Sequence, residues 1–349
     1  MTSALGHDAL LIKPLRQAMY NFDASAVQTA LSAVLAKDAV VHLCHPFGDC
    51  LGAEAFYQTA YAPLHDAMPD LERRDMIVMA GHDGHSDWIG ACGYYAGSFM
   101  TPFLDIPPTG HYAAMRFHEF YRVDSGRIVE IQAIWDIPEL MMQASAWPMT
   151  PSLGREWQVP APASQDGLHP RHDPERAQDA QAIVMAMLTD LTRHPSEGPP
   201  TVMNLDRYWH PRMSWYGPAG IGTARGMVGF RHWHQIPFLN AMPDRKSGAA
   251  VDLDIHFFAD ADYVAVTGWP DMAMTISADG WLGIAPAGQS VTMRSLDFWR
   301  LEGQLIRENW VLVDMLDVYR QLGVDVLARM REFNKARSMG RITLEQDYR

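Results

Sequence analysis

Ala67-Met68-Pro69-Asp70 returns in the chain as Ala241-Met242-Pro243-Asp244, 174 residues later. Asp87-Trp88 returns as Asp262-Tyr263, and Gly93 as Gly268, at a shift of 175. Pro108-Thr109-Gly110 matches Pro286-Ala287-Gly288, and Met115-Arg116 matches Met293-Arg294, at a shift of 178. That register holds through Phe120-Tyr121-Arg122 against Phe298-Trp299-Arg300, Glu130 against Glu308, and Asp136 against Asp314. The shift drifts only where loops would absorb short insertions. Solenoid repeats run to about 20–50 residues, so a period this long marks a tandem duplication of a folded domain. In 349 residues it gives two domains of ordinary size, 1–146 and 175–349. A linker over 147–174, rich in Pro, Gly and Ser and without periodicity, joins them.

An apolar share of 48% and a charged share of 20% allow each half an ordinary core. No apolar run approaches the roughly 18 residues of a membrane span, and the N-terminus lacks a basic start followed by an apolar stretch. The three cysteines, Cys44, Cys50 and Cys92, lack paired zinc spacing and read as reduced thiols, so a cytoplasmic protein is expected. The net charge of −13 and the scarcity of lysine disfavour nucleic-acid and anionic membrane partners, which need concentrated cations.

Each half runs from helices into strands. Helical spacing covers 8–37 and 51–68, then 174–194 and 226–242. Strand-like segments follow at 75–80, 87–96, 111–123 and 127–136, and again near 251–258, 262–269, 289–301 and 304–313. The segments 111–123 and 127–136 form a long hairpin around Asp124-Ser125-Gly126. Helices followed by a strand run imply an α+β fold, with a curved antiparallel sheet wrapped around the N-terminal helices of each half.

The second half carries Trp215-Tyr216-Gly217-Pro218, Asp297-Phe298-Trp299-Arg300 and Ile306-Arg307-Glu308-Asn309-Trp310-Val311-Leu312-Val313-Asp314, closing on Gln321-Leu322-Gly323. This pattern resembles the SnoaL-like polyketide cyclase (ester cyclase) family of the nuclear transport factor 2-like (NTF2-like) superfamily. It covers most of 205–323 and, more loosely, 36–145. The resemblance implies two tandem cone-shaped domains, each with an open apolar mouth for a small molecule. It also implies that the Asp ending the last strand is the general acid/base. The first half departs from the pattern: Gln132 stands where Trp310 does, and His42-Leu43-Cys44-His45 replaces the aromatic strand.

Antiparallel pairing centred on Ser125 sets Phe120 opposite Glu130, His118 opposite Gln132, and Arg116 opposite Ile134. Arg116, His118, Glu130, Gln132 and Asp136 then share one sheet face, and Arg294, Glu308, Trp310 and Asp314 share its counterpart. Such a face either lines a pocket or is a solvated or interdomain surface. In the pocket reading Asp314, Asp136 and His118 are catalytic. His45, Arg116, Glu130, Trp215, Tyr216, His234, Arg294, Glu308 and Trp310 would bind substrate. A carboxylate in an apolar surround can remove a proton next to a carbonyl and reprotonate the oxyanion. In the competing reading both aspartates cap the following helix, and Glu130 and Glu308 pair with Arg116 and Arg294. His42, His45 and Asp49 do not match a metal-ligand spacing, and no Gly-rich phosphate loop is present, so neither metal nor cofactor is expected. The function read here is a cofactor-independent cyclase, isomerase or lyase acting on a small carbonyl compound. The alternatives are a small-molecule binding or scaffold protein, and a hydrolase or dehydratase. The assembly read is a pseudo-dimer within one chain, with a homo-oligomer as the alternative.

Overall fold

The computed structural model describes residues 10–247, 253–277, 280–285 and 288–337. Pro286 and Ala287 of the repeat, and the start of the strand expected at 251–258, lie outside the described residues. The first half forms β1 (Leu35–Leu43), β2 (Gly48–Leu51), β3 (Glu72–His82), β4 (Asp87–Ser98), β5 (Tyr112–Asp124) and β6 (Arg127–Trp135). The second forms β7 (Trp209–Tyr216), β8 (Thr223–Arg225), β9 (Lys246–Ser247), β10 (Ile255–Asp260), β11 (Tyr263–Gly268), β12 (Met272–Ile276), β13 (Gln289–Met293), β14 (Ser295–Glu302) and β15 (Leu305–Val313).

The repeat is also topological. The first sheet is ordered β2-β1-β6-β5-β4-β3, and the second β8-β7-β15-β14-β11-β10. In the second half the strands answering to β4 and β5 are each broken in two, and their outer pieces β12 and β13 form a separate three-stranded sheet with β9. The sheets are mixed rather than wholly antiparallel, because β1 runs parallel to β6 and β7 parallel to β15. More than 80 residues separate the strands of each such pair (44–126 and 217–304), so no hairpin forces the antiparallel sense. No helix among the described residues is long and apolar enough to cross a membrane.

The span expected as one helix over 8–37 is two helices, Lys13–Tyr20 and Ala24–Val34, the second capped by the Asp23 carboxylate on the Ala26 amide. The helices starting at Gly52 and Gly226 each widen into a π turn at the same repeat position, Tyr57–Tyr61 and Arg231–Gln235. Pro63 and Pro237 stand just beyond these turns and cannot donate to the preceding carbonyls.

The two sheets pack face to face and bury the polar stripe identified in the sequence. Phe120 lies 5.0 Å from Phe298 and 5.7 Å from Phe258 between ring centroids. Gly90 is what allows this approach, since a Cβ there would meet the Phe298 ring at 2.9 Å. The fully buried His118 donates from Nδ1 to the Leu296 carbonyl at 2.6 Å. Burial and the Arg116 charge hold this imidazole well below its usual pKa, so it is neutral. Arg116 donates to the Tyr216 and Gly217 carbonyls at 3.1 and 2.6 Å, and Gln132 accepts from Thr267.

The two terminal aspartates close this interface reciprocally. Asp136 accepts the Glu139 amide of its own helix through Oδ1 and the Ala219 amide of the other half through Oδ2, at 3.3 and 2.9 Å. Asp314 accepts the Asp317 amide through Oδ1 and the His45 amide of the other half through Oδ2, at 3.2 and 2.9 Å. Ala219 and His45 are themselves 174 residues apart, so a pseudo-twofold relates the two clamps. The linker is ordered along the same groove: Val159 donates its amide to Tyr94 Oη, Pro160 accepts from the Trp310 indole, and Ala163 donates to Glu308.

Because each clamp uses both carboxylate oxygens as acceptors, asparagine cannot replace it as it would replace a simple helix cap. Asp136→Asn or Asp314→Asn should each lower stability by about 1–3 kcal/mol, since one buried amide loses its acceptor. Urea denaturation followed by tryptophan fluorescence measures this. The inner face of the first sheet gives a second expectation. Arg73 and Glu119 are buried there at 2.7 Å from each other, so Glu119→Ala should cost about 3–5 kcal/mol in the same assay.

Candidate active site

The opposite parity of each sheet faces into its cone, and the two interiors differ. In the first cone Glu119 accepts from Arg73, from Tyr95 at 2.7 Å, from the Trp135 indole at 3.1 Å, and from Tyr121. Tyr61 adds a contact at 3.4 Å, and the Tyr61, Tyr95 and Trp135 rings pack at 5.0–5.9 Å. This carboxylate has a cation and four phenol or indole donors, and aromatic rings fill the space around it.

The second cone is hollow. A cavity of about 540 Å³ lies inside it, walled by Trp209, Trp215, Phe230, Phe238, Trp281 and Trp299. Met185, Leu188 and Thr189, from the helix Pro174–Leu191, lie at one side. Asp297 takes the place of Glu119, 178 residues on. Strand alternation on β14 puts Ser295, Asp297 and Trp299 together on the cavity wall, and β15 adds Asn309, Val311 and Val313. The Ser295 hydroxyl donates to Asp297 at 2.7 Å. Burial outweighs that bond and raises the Asp297 carboxyl to about 7.

Asp271 enters the cavity from the bend between β11 and β12, its amide bonded to the Met293 carbonyl at 3.0 Å. The bend is tight: a Cβ on Gly268 would meet the Asp271 Cβ at 2.8 Å. Burial and the neighbouring Asp297 push the Asp271 carboxyl well up. His234, carried on the π turn, stacks on Trp215 with centroids 3.9 Å apart. Burial, with the Arg245 charge, lowers its pKa to about 3 and keeps it neutral. Four buried polar atoms on this cavity wall lack a protein partner: His234 Nδ1, Asp271 Oδ1, and the indole nitrogens of Trp209 and Trp299.

Of the residues singled out in the sequence, Trp215 and His234 line this cavity. Asp136, Asp314, His118, Arg116, Tyr216, Glu308 and Trp310 lie instead on the buried face between the halves, and the expectation that the aspartates open into a mouth is corrected accordingly. Tyr216 donates to Glu308 at 3.1 Å and packs on Trp310, so these two aromatics sit apart from Trp215 and His234. Arg294 lies over the Trp269 ring at 4.6 Å and pairs with Asp314 at 3.2 Å. His45 contributes its amide to the Asp314 clamp. His42 pairs with Asp49 and stacks on Trp269.

The hairpin register also differs from the expected one. Phe120 pairs with Gln132, His118 with Ile134 and Arg122 with Glu130. The turn has two residues rather than three, and a bulge follows Arg122. A slip of two keeps every side chain on its expected face but changes the ion pairs. Glu130 pairs with Arg122 and Glu308 with Arg300, while Arg116 and Arg294 pair with the aspartates.

Asp297, Trp299, Asn309, Asp271 and Arg245 were not singled out as site residues. The signal for Asp297 was present as an acidic residue at one repeat position, Glu119 and Asp297, on the sheet face opposite to the chosen one. For Asp271 no such signal exists, since the first half has no acidic residue at the corresponding place.

The family model of SnoaL-like polyketide cyclases matches residues 14–144 and again 201–322. Among solved structures, IdmH from Streptomyces antibioticus, assigned as a polyketide cyclase, is 23% identical over 40% of this chain and 98% of its own, with a TM-score of 0.34. A protein of Xanthomonas campestris pv. campestris with the same assignment is 22% identical over 41% of this chain and 99% of its own, at 0.35. An NTF2-like protein of Burkholderia thailandensis is 19% identical over 40% and 96%, at 0.31. No curated protein matches the chain. With the family model matched once in each half and over most of the chain, this protein belongs to the SnoaL-like polyketide cyclase family.

Proposed function

We propose that this protein is a cofactor-independent acid/base enzyme that works in its second half, on a carbonyl compound of about two fused rings. The observation that carries the proposal is Asp297: a half-buried carboxyl with no cation paired to it among the described residues, raised by desolvation to about 7, in the wall of the hollow second cone. A base of this kind is about half ionised at neutral pH, where proton transfer from carbon is best served. The aromatic walls suit a planar ligand. Asp297 would take a proton from the carbon next to a carbonyl. The C–H electron pair becomes the enolate double bond, and the carbonyl pair moves onto oxygen. Ring closure, isomerisation or elimination can each follow from that enolate.

In this reading the first half is the structural copy. Its equivalent carboxylate is bound to Arg73 and its cone is filled. The aspartates at the strand ends, Asp136 and Asp314, hold the two halves together, and His118 is a neutral donor in the same interface.

Exchange of the methyl protons of 1-acetonaphthone in heavy water, followed by NMR, tests the proposal without the natural substrate. The protein should catalyse the exchange, with a rate that rises with pH as Asp297 loses its proton and levels off above about 7. Asp297→Asn should lower the rate about 10²-fold or more, with folding retained. Unchanged exchange in that variant would leave the binding-protein reading ahead.

A further inference from the structure

The mechanism above uses one carboxyl of the second cavity and leaves the other unexplained. Asp271 is a buried residue of the cavity lining, and its Oδ1 has no partner in the protein. The backbone amides of Asp271 itself and Ser295 face its carboxyl group, which anchors the group. Trp299 lines the same cavity two residues along β14 from Asp297, and its indole N–H is equally unpartnered. A buried polar atom without a partner carries a penalty of about 1–3 kcal/mol. Two of them on residues that line one cavity, with a base in the same lining, therefore point to a ligand atom that satisfies both.

We propose that Asp271 acts as a carboxylic acid that donates a hydrogen bond to the substrate carbonyl oxygen, with the Trp299 indole N–H as second donor. The inference rests on the cavity being the reaction site, as argued above. In the step itself Asp297 takes the carbon-bound proton and the displaced electron pair accumulates on the substrate oxygen. Asp271 and Trp299 stabilise that oxyanion by hydrogen bonds, and neither bond to hydrogen breaks. The charges around Asp271 support its neutral form. Burial and the Asp297 carboxyl disfavour a second anion, and only Arg245 at the cavity wall opposes them. Neutral His234 contributes no charge. The first cone has no such acid: the residues matched to Asp271 by the repeat shifts of 174 and 175 are Gly97 and Ala96, and that cone is filled.

Two measurements on the full chain read Asp271 directly. In wild-type minus Asp271→Asn infrared difference spectra taken well above the titration of Asp297 near 7, the carbonyl stretch of a protonated carboxylic acid should appear as the wild type's own band. The second measurement is the affinity for 4-nitrophenol, whose phenolate mimics the enolate oxygen and reports its ionisation by absorbance. Asp271→Asn keeps a neutral donor and should bind it within about threefold of wild type. Asp271→Leu should weaken binding about tenfold, the value of one hydrogen bond. Tighter binding by Asp271→Asn, equal binding by Asp271→Leu, failure of the wild type to bind, or absence of the acid band would each overturn the proposal. Turnover by Asp297→Asn reports on the base alone. The acid band with the expected phenol affinities beside an active Asp297→Asn would sink the base and leave the donor standing.

Discussion

The packing of one sheet on the other is the constraint on which the rest of this structure depends. Each sheet is curved around its own helices and also covered on its outer face by its repeat. Apolar rings make most of that contact, and Gly90 lets Phe298 come close enough to share it with Phe120. Polar groups on the same face bond across the boundary, as His118 with the Leu296 carbonyl and Arg116 with the Tyr216 and Gly217 carbonyls show. The terminal aspartates complete it, each joining its own helix to a loop of the other half. A tandem gene product thereby holds, within one chain, an arrangement that two separate copies would have to assemble.

Duplication then allows the two interiors to diverge. Glu119 and Asp297 descend from the same repeat position and meet opposite environments. Around Glu119 the chain has gathered Arg73 and several hydroxyl and indole donors, which neutralise it and fill the cone. Around Asp297 it has placed Ser295 and large apolar walls, leaving space and a carboxyl with a raised pKa. A paired buried carboxylate is a structural element. An unpaired one in a cavity is poised to exchange a proton.

Much of the architecture could be read from residues alone: the duplication, the helix-then-strand order and the hairpin ends. The parity of Arg116, His118, Gln132 and Asp136 was also legible, because a strand alternates whatever its register. Which side of the sheet is inside was not. Alternation identifies a core face only when the other face meets water, and here both are buried. The sequence left a pocket and an interdomain surface open for the polar face, and the fold makes it the interdomain one; Asp297 and Trp299 entered only as part of the family pattern. Asp271 was hidden for another reason. It lies at a break where the long β4–β5 pair of the first half becomes two shorter pairs in the second, and only the folded chain brings that bend against β14.

The central claim is that one cone is hollow and works while its twin is filled and supports it. A crystal structure of the protein soaked with 1-acetonaphthone tests this most directly. The account predicts density for the ligand inside the second cone, against the Asp297 and Trp215 walls, with the first cone unchanged around Arg73 and Glu119. Ligand bound within the first cone, or in the groove beside Asp136 and Asp314, would contradict it.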